Sequence, residues 1–148
     1  MGLIIVSGDF TGVYALSASL SSKVEPFILE YEKTYLRELL GADLYTLFAA
    51  DIISPAVVPV TAKYVAIFNE INSDETYGLL HSDGIKKMLL GFLWYEFTTG
   101  KAHVHTDTGI VASVNENSLN ADFSLAFAKY NKAIDTYRSI QYYIQKNI

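Results

Sequence analysis

The sequence predicts a mainly α fold, a helical bundle of about four to five helices with an extended N-terminal arm and a long loop or β-hairpin before a long C-terminal helix. Three observations carry this expectation. Apolar residues recur at three- and four-residue spacing through most of the 148 residues. That period fails most clearly at 1–21 and at 100–120. The chain is 51% hydrophobic and 14% aromatic with no cysteine, so its core must be built by packing alone. A chain of this length typically buries roughly 68–70% of the surface its unfolded form exposes, enough for one domain over 1–148 without disulfides or a structural metal.

Residues 1–21 mix β-branched and aromatic residues with Gly8, Gly12 and a Ser-rich end, which reads as an extended arm or short strand pair. Ser22-Lys-Val-Glu25 has the form of a capping box, in which each side chain satisfies an orphan backbone N–H, and predicts a helix start there. Phe27, Ile28, Tyr31, Tyr35, Leu36, Leu39 and Leu40 then form its apolar stripe. Pro26 is tolerated in the first turn, and Gly41 offers a left-handed end. A second short helix from Ala42 to about Asp51 places Leu44, Leu47 and Phe48 on one face.

Pro55 and Pro59 punctuate a loop, and a third helix is expected from Val60 to about Ile71 through Tyr64, Ile67 and Phe68. Residues 72–78 read as a turn-rich connection. Ser82 or Asp83 is expected to cap a fourth helix reaching about Thr99. Its interior is apolar on nearly every face, which marks it as central. From Phe123 the spacing of Phe127, Tyr130, Ile134, Tyr137 and Ile144 predicts one helix of about 26 residues, about 40 Å long. That matches the diameter of the whole globule, so the helix must cross the domain or project from it.

Eleven Lys and Arg against sixteen Asp and Glu give a net charge of -5, which argues against a protein that grips nucleic acid through its phosphates. The apolar run Met88–Tyr95 is far shorter than the roughly 20 residues of a membrane span. The first residues have no cationic segment before their apolar run and read as part of the fold rather than as a signal peptide. No membrane partner is expected.

His103-Val-His105 with Asp107 is the one cluster of potential metal ligands, and strand geometry would put all three on one face. Metal sites normally draw ligands from more than one segment, so a structural or solvated loop is the favoured reading. No cofactor is expected. There is no G-x-S-x-G elbow, and Thr98-Thr-Gly-Lys101 fails as a phosphate loop because Tyr95 stands where the first glycine belongs. The chain therefore reads as a non-enzyme. Tyr137, Ile140, Tyr142, Tyr143, Ile144 and Ile148 surround the end of the last helix, which asks for partners on several faces.

Asp9-Phe-Thr-Gly-Val-Tyr14, the block from Glu25 to Tyr45, Gly84 to Phe97, Thr108-Gly-Ile-Val111, Asn115-Glu-Asn-Ser118 and Tyr130 to Tyr137 occur in an order that resembles a family of small helical head-tail connector or adaptor proteins. These are encoded by tailed phages and prophages of Bacteroidetes-type hosts. The resemblance spans nearly the whole chain and includes no catalytic signature. It implies a structural virion protein at the portal vertex, assembled in the bacterial cytoplasm as a homo-oligomeric ring of roughly twelve copies. Its partners would be the portal protein and a tail-side neck or tail protein, with double-stranded DNA passing through without specific binding. An acidic lumen would suit that passage, since each neutralised phosphate adds retention.

On this reading the candidate assembly contacts are Phe10 and Tyr14 in the arm, and His103, His105, Thr108, Ile110, Asn115 and Asn117 in the 100–120 segment. Tyr142, Tyr143 and Ile144 complete the set on the last helix. The alternative is a metal-binding or metal-dependent module centred on His103, His105 and Asp107, which alanine replacement of both histidines would empty of metal. A third reading, a helical regulator holding a small ligand between aromatic faces, needs a large preformed apolar pocket.

Overall fold

The computed structural model describes residues 2–54, 57–75, 78–101, 103–106, 109–112 and 123–148, with residues 19, 73–75, 78–79, 101, 103–106 and 109–112 described through the backbone. The fold is mainly α. Instead of a strand pair, the arm holds two 3-10 turns, Ser7–Asp9 and Gly12–Tyr14, and leads into a single helical turn, α1 (Ala18–Ser21). Its glycine and serine spacing favours local turns over a ladder, and among the described residues no strand pairs with it to take its backbone groups.

Helix α2 (Glu25–Leu40) starts two residues later than the capping box requires, with Val24 at the N-cap and no side-chain cap. Ser22 closes α1 instead, in helical conformation (φ −73°, ψ −18°), whereas a capping serine needs extended backbone. Pro26 fits because the first turn of a helix has no partner for its missing N–H. Gly41 ends α2 at φ 77°, as its position predicts, and its N–H donates to Arg37 O at 2.8 Å.

Helix α3 (Ala42–Asp51) runs into a small hairpin of β1 (Ile52–Ile53) and β2 (Val58–Pro59), paired Ile52↔Pro59 and Ile53↔Val58. The expected loop is thus a hairpin. Pro59 is compatible because a two-stranded ribbon has only edges. Helix α4 (Ala62–Phe68) is shorter than its apolar pattern suggests. Ile71 belongs instead to β3 (Ile71–Glu75), which pairs antiparallel with β4 (Gly78–Ser82) in the register Ile71↔Ser82. Polar Asn72-Ser-Asp-Glu has little strand propensity; the buried Ile71 and Ser82 at the base of the hairpin tie it to the core.

Helix α5 (Ile85–Lys101) is the central element and packs against both α2 and α6 (Ser124–Asn147). It buries Ile85, Met88, Leu89, Leu90, Phe92, Leu93 and Phe97. Gly84 precedes it at φ 89°, where a β-carbon would stand 2.6 Å from the Phe68 carbonyl oxygen. A side chain there meets both backbone strain and a backbone atom that cannot step aside. At Gly91 a β-carbon would lie 3.0 Å from both Ala133 Cβ and Lys129 O, so the missing side chain lets α5 and α6 approach closely. Between α5 and α6 lies the antiparallel hairpin of β5 (His103–Thr106) and β6 (Gly109–Ala112).

The core is aromatic where three helices meet. Tyr35 of α2 stacks flat on Phe92 of α5 (4.2 Å, 4°), and Tyr130 and Tyr137 of α6 meet Phe92 edge-on. Offset and edge-to-face pairs of this kind add about 0.5–1.5 kcal/mol beyond their area. No helix among the described residues is long and apolar enough to cross a membrane.

Candidate functional site

The arm is held to the body by side chains. Ile4, Ile5 and Phe10 enter the core, and the Glu32 carboxylate, 3% exposed, accepts three arm N–H bonds. They come from Leu3 at 2.8 Å, Ile4 at 2.6 Å and Ile5 at 3.0 Å. Burial pushes the Glu32 carboxyl above the usual range, and the three N–H bonds pull only part of the way back. Glu32 occupies a position between Ile28 and Leu36 on the buried stripe of α2, where the period calls for an apolar residue. That misfit is the one sequence signal that could have revealed it.

Further along the arm, Asp9 accepts the Val6 N–H at 2.9 Å and pairs with Lys86 at 2.8 Å. Lys129 of α6 lies over the rings of Tyr14 (5.0 Å) and Trp94 (4.9 Å) and donates to the Val13 carbonyl. Burial lowers its ammonium pKa, with Lys132 adding repulsion. The arm is therefore tied to α2, α5 and α6 at once. Phe10, 6% exposed, is an anchor within the core, and Tyr14 is half-buried.

A second polar group joins the helices from within. Tyr35 donates to Glu96 Oε1 at 2.6 Å, and burial first, then this bond, drives its phenol far above the ordinary tyrosine range. Tyr35 stays a neutral donor. At the head of α5, Asp83 pairs with His81 (3.2 Å) and Lys132 (3.5 Å), while its N–H donates to Thr136 Oγ1 at 3.4 Å. These contacts pin the β3–β4 hairpin against α6.

On the outer side of α3, the fold exposes aliphatic surface. Asp51 accepts the N–H groups of Val60 and Thr61, each at 2.7 Å, and the Thr61 hydroxyl at 2.5 Å. These bonds, the Thr61 hydroxyl first, hold its carboxyl below the usual range. Ile52 and Pro59 therefore turn towards the body, whereas Ile53 and Val58, their neighbours in the ladder, face solvent. Leu47, Ile53 and Val60 are each more than half exposed. Val57 joins the strands at φ 55°, a costly conformation for a β-branched residue.

The last helix resolves into distinct faces. Ile140 is fully buried, and Tyr143 and Ile144 are half-buried against the core, Tyr143 also bordering a groove of about 570 Å³ with Val65, Ala66 and Asn69 of the α4 region. Tyr142 is exposed, with Lys146 over its ring at 5.7 Å. His103, His105 and Ile110 lie in the β5–β6 hairpin, with His105 paired to Ile110. His103 and His105 occupy alternate positions of β5 and so share a face. Asp107, Thr108, Asn115 and Asn117 lie outside the described residues. Among the described residues no three His, Asp or Glu side chains gather as a ligand set for a metal.

Comparison of the chain with family models, with curated proteins and with solved structures returns no match.

Proposed function

We propose that this chain is a structural virion protein, one subunit of a ring that connects a phage portal to its tail and lets DNA pass. The observation that carries the reading is the aliphatic surface around Leu47, Ile53, Val58 and Val60, held open on a hairpin that Asp51 fixes in place. Exposed large apolar residues gathered in one short stretch of a small domain suit a place where another protein docks. The order of sequence blocks shared with head-tail connectors supplies the kind of assembly. The net charge of -5 supports a channel that does not retain DNA.

The test is quantitative mass spectrometry of purified virions from the phage or induced prophage that carries the gene. The chain is expected in intact particles at a copy number close to that of the portal subunit. Its absence from particles that retain portal and tail proteins overturns the reading.

A further inference from the structure

The exposed patch on α3 has a counterpart on the same chain. Asp43, Leu47 and Asp51 follow one another at four-residue spacing on α3, an aliphatic residue between two acids. Arg138, Tyr142 and Lys146 repeat that spacing on the exposed side of α6, an aromatic residue between two bases. Each set forms a ridge of the kind that packs into a matching groove when two helices cross at about −50°, the commonest helix-packing class. A step of four residues is about 6 Å on either helix, so the charges and the apolar centres fall into register together.

We propose that the α3 ridge of one copy docks alongside the α6 ridge of a second copy, in the groove beside it, with Leu47 against Tyr142, Asp43 against Arg138 and Asp51 against Lys146. Charge complementarity identifies the occupant. Neither Asp43 nor Arg138 has an ion-pair partner among the described residues, and Asp51 keeps its negative charge while it fixes the hairpin. Lys63, whose charge helps to hold the Asp51 carboxyl ionised, lies over the Tyr64 ring at 4.9 Å. Asp135, one turn before Arg138, bounds the basic ridge on its inner end. Ile53 and Val60 extend the apolar footprint beyond the helix.

The two ridges differ, so each copy offers one of each and the contact is heterologous. Such contacts run from copy to copy and close into a ring when the rotation permits. The inference deepens the connector reading and rests on it for the closed ring, while the contact itself rests on the two ridges.

The experiment is sedimentation equilibrium of the full chain at ~50 mM and ~500 mM salt, a range over which screening of exposed charges becomes nearly complete. Wild type is compared with Asp43→Arg, Arg138→Glu and the double variant, all at exposed positions that leave the core untouched. The expected result is concentration-dependent association that each single reversal weakens by about threefold or more at low salt, with the double variant within about twofold of wild type. High salt should erase the difference. A wild type that stays monomeric up to ~1 mM overturns the contact, as do single variants that associate like wild type or a double variant no better than its parents. Association through other residues would sink this contact and leave the ring reading standing. Absence from virions together with a charge-swap rescue would do the reverse.

Discussion

At the scale of single residues, Glu32 shows how a carboxylate can act as an anchor for backbone. Ile4 and Ile5 N–H groups are buried with it, and leaving buried donors unpaired costs about 1–3 kcal/mol each. The same burial raises the Glu32 pKa above its ordinary 4.5, so between the two values the native state binds more protons than the unfolded chain. This group's contribution is therefore greatest below the ordinary value and declines as pH rises through the native one. Glu32→Gln cannot titrate, and its amide would face the Leu3 N–H as a second donor. The stability of wild type relative to Glu32→Gln, from urea denaturation, should thus fall as pH rises above the ordinary carboxyl value of 4.5. A difference that does not change with pH would mean that ionising Glu32 carries no penalty. Nothing in the arm's own residues announces this latch, because a turn-forming segment records its local geometry and not the distant carboxylate that binds it.

At the scale of elements, periodicity fixes what packs and is poor at where it stops. The stripes of α2 and α5 are legible because each buries many residues at helical spacing, whereas α6 buries Ala126, Ala133, Thr136 and Ile140 and leaves Phe127 of its expected stripe 51% exposed. The capping box misplaces the start of α2 because Ser22 is claimed by α1, and the apolar pattern overruns the end of α4 because Ile71 serves a strand while keeping the helical phase. Both errors come from tertiary neighbours overriding local preference. The β1–β2 hairpin was hidden by its prolines, and its exposed Ile53 and Val58 became visible as a surface only once Ile52 and Pro59 were seen to face inward. The close approach of α5 and α6 at Gly91 makes a direct prediction. Gly91→Val inserts three carbons where one already stands 3.0 Å from Ala133 and Lys129, and should destabilise the fold by about 1–3 kcal/mol in chemical denaturation. An unchanged or raised midpoint would mean that the helices separate without cost.

At the scale of the whole molecule, one aromatic core gathers three helices and the arm. Helices α2, α5 and α6 share one aromatic core, and the arm is locked to it at Glu32, Lys86 and Lys129. Exposed large apolar residues include Val13 and Leu29, and also Leu47, Ile53, Val58 and Val60 around the α3 hairpin and Tyr142 on the outer face of α6. Of the residues singled out from sequence, Tyr142 is among them, while Phe10, Tyr143 and Ile144 face the body. Sequence alone distinguishes apolar from polar residues and cannot say which apolar residue is left uncovered, since that depends on how neighbouring elements end. The central claim is that the chain forms a ring between portal and tail. Cryo-electron microscopy of intact virions tests it most directly. The account predicts a ring at the neck whose subunits fit the α2–α5–α6 bundle, with α3 of each copy against α6 of the next. A neck resolved to side-chain detail with no density for this bundle would contradict it.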